Sequence, residues 1–402
     1  MSTTATSQAD SGARAPLVAL AVATFAFTTN FWAWGLISPL APDYRESLDL
    51  SALQTSIMVA VPVLLGSVAR IPMGALTDRF GGRRMFTWLS LAVVAPLVFL
   101  AFFESYPVLL AGGFVLGVSG ASFAIGIPFV NAWFPPERRG FALGVYGMGN
   151  VGTAIAGFTS PTIAEATSRA VPFLLVAGVM VVTAVVVWTF GRDAEGATGS
   201  TTPMAQRLRS ALSLRITIDL AALYALTFGG FVAFGVYLPT YLKDVYGLET
   251  TDAAARAAGF ILLATLARPV GGWLSDRFGG GPVLVVVFTV VTIGAAFQSF
   301  GPAIVIATVL FLGMAAALGA GNGAVFALVG RRAPSDRVGA VTGFVGAAGG
   351  LGGFFPPIVM GIVFGATGDY QAGLVMLAVT AAAAGLYTQR RFGGRAGTDT
   401  TT

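Results

Sequence analysis

Residues 69–82 read A-R-I-P-M-G-A-L-T-D-R-F-G-G, and residues 267–280 read A-R-P-V-G-G-W-L-S-D-R-F-G-G; nine of the fourteen positions are identical at a fixed offset of 198. In each copy an arginine, Arg70 or Arg268, closes a long apolar run and precedes an Asp-Arg pair by about two helical turns. A second match repeats the relation: Gly140, Gly144 and Gly147 return as Gly339, Gly343 and Gly346 at offset 199. The chain therefore has two related halves, and each half carries one cation where an apolar segment can least tolerate it. A positive side chain at that depth costs roughly 3 kcal/mol on insertion scales, so two at equivalent places point to an anion held between the halves.

Composition fixes the solvent. Of 402 residues, 55% are hydrophobic and only 10% charged, against about 25% charged for soluble domains. Apolar stretches long enough to cross a bilayer recur throughout, and no ten-residue alternation suggests a membrane barrel. Charges and turn residues cut the chain into twelve spans: 17–40, 52–76, 83–103, 107–133, 138–162, 169–191, 216–241, 252–276, 282–300, 302–330, 335–364 and 368–390. The expected fold class is all-α and polytopic, with two pseudo-symmetric six-helix bundles. Its parts are a polar N-terminal tail (1–16), a first bundle (17–191), a linker (192–215), a second bundle (216–390) and a C-terminal tail (391–402). No cleavable signal peptide is read in the first 16 residues.

Placing both termini in the cytoplasm puts 17 of the 23 basic residues there and four (Arg45, Arg169, Lys243, Arg256) outside, leaving Arg70 and Arg268 in the membrane. The positive-inside rule selects that orientation. The net charge of +5 is thus a topology signal and not a nucleic-acid surface. Cysteine and histidine are both absent, which removes thiolate sites, the commonest metal ligand and the usual near-neutral proton carrier. Acidic residues divide evenly, nine to a side. No nucleophile–base set or nucleotide loop is visible, and the G-x-G-x-x-G string at 147–152 lies in a span and follows no strand. An enzyme is not expected, nor is a cofactor or metal.

Parallel six-helix halves with a shared midplane site are a transporter architecture. The loop G-A-L-T-D-R-F-G-G-R-R (74–84), with its copy at 272–280, resembles the G-x-L-x-D-R-x-G-R-R motif of the major facilitator superfamily. Within that superfamily the chain resembles the nitrate/nitrite porter family. The resemblance rests on Arg70 and Arg268, on G-V-Y-G-M-G-N-V-G-T-A-I-A-G (144–157) in span 5 and G-F-V-G-A-A-G-G-L-G-G-F-F-P-P (343–357) in span 11. It rests also on Y-A-L-T-F-G-G-F (224–231), A-S-F-A (121–124) and G-A-G-N-G-A-V-F (319–326). It implies a secondary transporter of the cytoplasmic membrane that works as a monomer on a small inorganic anion, nitrate or nitrite.

Guanidinium suits such a substrate, because its planar fork grips two oxygens of a flat anion, whereas lysine offers a strongly hydrated point charge. The implied binding residues are Arg70, Arg268, Tyr224, Phe228, Phe123, Asn150 and Asn322, the rings forming a slot and the amides adding donors. Asp78, Arg79, Asp276 and Arg277 are expected to pair charges at a cytoplasmic gate. Gly144, Gly147, Gly149, Gly343, Gly346, Gly349 and Gly350 are expected to let helices approach closely. Pro356 and Pro357 predict a break in span 11. With no deep carboxylate, exchange of nitrate for nitrite is expected over proton symport. The alternatives are a proton-coupled symporter, another small-anion or carboxylate porter and, from a different class, a membrane anion sensor.

Overall fold

The computed structural model describes residues 3–194, 204–334 and 337–393. Among them, eleven helices are long and apolar enough to cross a membrane. They are span 1 (Ala15–Ser47), span 2 (Ala52–Phe80), span 3 (Gly82–Phe102), span 4 (Tyr106–Trp133), span 6 (Ala170–Phe190), span 7 (Arg215–Tyr246), span 8 (Thr250–Phe278), span 9 (Gly280–Gln298), span 10 (Ile304–Arg332), span 11 (Val338–Thr367) and span 12 (Gln371–Phe392). The glycine-rich segment 136–166 supplies span 5, as helices Pro136–Gly147 and Val151–Ala166 joined by a 3-10 turn at Met148–Asn150. The architecture is the expected polytopic helical one, with boundaries shifted by a few residues. The first helix already begins at Thr3, and helix Met204–Leu212 lies in the linker. Linker residues 195–203 and tail residues 394–402 fall outside the described part.

Local chemistry sets the ends of these helices. Span 2 starts at a reciprocal capping box, in which Ser51 Oγ accepts from the Gln54 amide and Gln54 Oε1 accepts from the Ser51 amide. Span 7 stops at Gly247, whose left-handed backbone (φ +63°) terminates the helix without strain. Span 11 is interrupted at Gly353–Phe354 and restarts at Phe355 with Pro356 and Pro357 in its first turn, where a missing N–H leaves nothing unpaired. The outward faces are apolar, as at Phe300, Val305, Val309 and Val286, while Asn30, Asn150, Asn322, Arg70 and Ser90 are buried inside. That inversion is what a lipid solvent demands.

The halves meet around a pseudo-twofold axis. Spans 5 and 8 pack on one side of it, and spans 2 and 11 on the other; the offset of the repeat turns one contact into the other. Some residues touch their own repeat partners. Ser38 Oγ donates to the Val236 carbonyl at 2.6 Å, 198 positions away. Arg45 Nη1 donates to both Asp244 oxygens at 2.6 Å, and Lys243 Nζ lies 2.8 Å from Glu46. Arg45-Glu46 and Lys243-Asp244 are the same cation–acid dipeptide at offset 198, so the two ion pairs are one interaction made twice. Thr250 Oγ1 donates to Asp43, and Tyr370, itself bonded to Tyr237, donates its hydroxyl to Asp244 at 2.6 Å. Burial, with Tyr237 and Asp244 beside it, pushes the Tyr370 phenol well above its ordinary pKa, so this donor keeps its proton. These bonds seal the end opposite the arginine-rich loops, the end expected from the sequence to be the outer one.

Toward the inner end the seam opens. On span 11, residues 339, 343, 346 and 350 share one face by helical spacing. A Cβ built on Gly350 would run into Ser67 of span 2 and come within 3.2 Å of Arg70 Nη1, and one on Gly346 would lie 3.5 Å from Phe123. A Cβ on Gly343 or Gly339 would meet nothing within 4 Å, and the same holds for Gly74, Gly144 and Gly147. Spans 2 and 11 are closed from the outer end down to Arg70 and open below it. The seam is thus open at the end that carries the arginine-rich loops.

Candidate functional site

Arg70 begins the inner helix of span 2 (Arg70–Phe80), immediately after the turn at Ala69 that interrupts the span. That position sends its guanidinium across the seam. Nη1 donates to the Gly346 carbonyl of span 11 at 2.7 Å, and Nε reaches the Gly120 carbonyl at 3.4 Å. Gly120 lies in the 3-10 turn Gly117–Ala121 of span 4. The side chain is 4% exposed and sits over two rings, Phe123 and Phe228, each at 5.3 Å from its Cζ. Face contact with aromatic rings is a favourable place for a desolvated cation.

Arg268 approaches the same ring from the other bundle. Its Cζ is 5.4 Å from the Phe228 centre, and its Nη2 donates to the Tyr224 hydroxyl at 3.0 Å. Its Nη1 is buried without a partner. Two like charges, one from each half, thus share the Phe228 ring at 5.3 and 5.4 Å from its centre, and neither guanidinium has a carboxylate among its described hydrogen-bond partners. Tyr224 stacks on Phe228 (5.0 Å, 7° between planes), takes the edge of Phe326 at 4.8 Å and fills the hollow left by Gly349. Its hydroxyl accepts from Arg268, so its own hydrogen remains available to a ligand.

Five of the seven binding residues read from the sequence come together here: Arg70, Arg268, Phe123, Tyr224 and Phe228. The two asparagines are buried on their own spans with different surroundings. Asn150 Nδ2 donates to the Gly147 carbonyl of its own helix, leaving Oδ1 as the unpartnered atom. Asn322 has neither its Oδ1 nor its Nδ2 bonded, although it is fully buried. A buried amide without partners in an apolar span is an unsatisfied demand that a bound anion or water can meet.

The four charged residues expected at a gate lie at the open end of the seam. Asp276 pairs with Arg331 of its own bundle at 2.9 Å, Arg79 lies over Phe80, and Arg277 lies over Trp273 and Phe278. Asp78 lies near the end of the corresponding helix of span 2. The cross-bundle ion pairs described above belong to the outer end. The expected close approach by glycines divides likewise. Gly149, Gly349 and Gly350 are pressed against neighbours and Gly346 is in ordinary contact, whereas Gly144, Gly147 and Gly343 face open space.

Sequence reasoning missed several parts. The backbone acceptors of Arg70 carry no side-chain signature. Phe27 and Tyr146, which stack on each other and pack against Phe123, were masked by the many aromatic residues of the chain; Tyr146 is held by its hydroxyl to the Ser122 carbonyl at 2.8 Å. The outer ion pairs did have a signal. Arg45-Glu46 and Lys243-Asp244 obey the offset that reveals Arg70 and Arg268, but conservative replacement hid the match.

Comparison with known proteins agrees with this fold. A Major Facilitator Superfamily profile matches residues 23–357 and 220–393. The probable nitrate/nitrite transporter NarK2 of Mycobacterium tuberculosis is 46% identical over 378 residues, covering 92% of this chain and 95% of that protein. The nitrite extrusion protein of Bacillus subtilis is 37% identical over 369 residues, covering 91% and 92%. Among solved structures, a bacterial homolog of the human lysosomal transporter Spinster, in an inward-facing and occupied conformation, superposes with a TM-score of 0.70 over 93% of this chain and 96% of its own; at 18% identity it speaks for the fold alone. The chain is therefore a multi-pass membrane transporter, not an enzyme, and belongs to the nitrate/nitrite porter family of the major facilitator superfamily.

Proposed function

We propose that this protein exchanges nitrate for nitrite across the cytoplasmic membrane by alternating access, with both termini inside and a single chain sufficient. The observation that carries the proposal is one ring, Phe228, flanked by two arginines from opposite bundles, one of which keeps a buried donor unpartnered. An anion beside that ring satisfies Arg268, faces the free hydroxyl hydrogen of Tyr224 and offsets the repulsion between the guanidiniums. The rings exclude water, so each charge-assisted bond is stronger than in solution. Discrimination against larger anions follows from a slot walled by Phe123, Tyr224 and Phe228.

Two like charges without a resident carboxylate leave the empty carrier repelling itself, whereas the loaded carrier is held together. Closure then requires an anion in either direction, which is exchange. Counterflow in sealed vesicles tests it: labelled nitrate should enter only when nitrate or nitrite is inside. Robust uptake into anion-free vesicles driven by an imposed pH gradient would replace exchange with proton symport.

Tyr224 provides a milder check. In Tyr224→Phe the stacked ring remains and the hydroxyl is lost, leaving Arg268 Nη2 without its acceptor. Half-saturation for nitrate is expected to rise about tenfold, the value of one hydrogen bond to a charged group, with a smaller change in maximal rate. An unchanged half-saturation concentration in the exchange assay would remove Tyr224 from the site.

A further inference from the structure

The cross-bundle bond from Arg70 to the Gly346 carbonyl lies at the fork of the seam. Above it, spans 2 and 11 are closed through Ser67 and Gly350; below it, Gly343, Gly339 and Gly74 face open space. We propose that this carbonyl is a resident stand-in for the substrate, and that it parks the empty carrier inward-open until an anion takes its place. The inference rests on the exchange function proposed above and names the device that would enforce it.

The two arginines differ in a way that charge repulsion alone does not explain. Arg70 has found two backbone acceptors, one of them in the opposite bundle, while Arg268 has a tyrosine hydroxyl and an idle donor. A carbonyl oxygen carries partial negative charge, and a buried guanidinium without a counter-ion is forced to use it. The bond forms because span 11 presents a bare backbone: a side chain at Gly350 would wedge between Ser67 and Arg70 Nη1. Closing the inner end must bring Gly343 and Gly339 toward span 2, which shifts Gly346 relative to Arg70. In the empty carrier that shift forfeits the bond and returns nothing. With an anion at Phe228, Arg70 exchanges one acceptor for a better one and span 11 is released. Gly346 and Gly350 are positioning residues in this scheme, since they act through Arg70.

Two changes attack the bond. Gly350→Ala wedges the seam at Arg70. Lactic acid in place of Ala347, introduced by nonsense suppression, turns the Gly346 carbonyl into an ester, a weaker acceptor, without altering any side chain. The same replacement at Ala348 controls for the amide N–H it removes. Spin labels at Arg84→Cys and Pro334→Cys, both exposed at the inner end of a chain with no cysteine of its own, report the gap without any substrate.

The parent protein without anion should show the long, inner-open distance, and the 347 ester should populate a shorter one about tenfold more than the 348 control. In vesicles, net efflux relative to exchange should rise by a similar factor. An unchanged distance distribution in the 347 ester overturns the stand-in, whether or not Gly350→Ala folds. A changed distribution upholds it even if counterflow shows that the transported ion is neither nitrate nor nitrite, which would sink the assignment of substrate alone.

Discussion

Arg70→Lys is expected to lower nitrate transport by at least about two orders of magnitude while the protein still inserts and purifies as a folded species. The guanidinium spends Nη1 and Nε on carbonyls of spans 11 and 4 and offers what remains of its fork to the pocket. An ammonium has one donor centre and cannot keep the Gly120 carbonyl while gripping two oxygens of a flat anion that has displaced the Gly346 carbonyl. Losing two charge-assisted bonds at about 1.5–3 kcal/mol each accounts for the size of the effect. Arg268→Lys should abolish transport as well, with less structural disturbance, because that side chain is half-buried and has one described hydrogen bond. Binding followed by calorimetry beside transport in vesicles checks both, and a lysine variant retaining a tenth of the parent rate would end the guanidinium-clamp model.

The second large effect is expected at the outer seal. Asp244→Asn strips Arg45 of a carboxylate held at 2.6 Å on both oxygens and weakens the acceptor for Tyr370. The carboxylate is 15% exposed and Arg45 24%, so screening by water is incomplete and a shift of about tenfold or more toward the outward-open state follows. Thiol labelling of Ser38→Cys, which faces Val236 across the seam, should accelerate in that background. The double exchange Arg45→Asp with Asp244→Arg should restore the slow rate, because it sets two acids at positions 45 and 46 against two bases at positions 243 and 244. Failure of that rescue would mean that the seal depends on local packing more than on charge.

The helical spans and the break before Pro356 were legible because lipid imposes a length and a polarity that composition cannot hide. Arg70 and Arg268 were legible because a cation in an apolar run needs a reason, and repetition supplied one. The 3-10 turns at Gly117–Ala121 and Met148–Asn150 were not, since glycine-rich helices and glycine-rich turns share a composition. Nor could the sequence reveal that Asn150 turns its amide onto its own helix, which depends on the local turn and on tertiary placement. The conformational state is likewise unwritten. Gly346 packs and Gly343 does not, although they sit on one face of one helix.

The outer dipeptides have a property that the arginine pair lacks. A cation followed by an acid, rotated half a turn onto its own copy, sets plus against minus twice, so Arg45-Glu46 and Lys243-Asp244 need no third party to lock. Arg70 and Arg268, subjected to the same rotation, can only set plus against plus. One duplication has thus produced a lid whose charges pair among themselves and a chamber whose two charges are alike, the arrangement that the proposed anion site calls for.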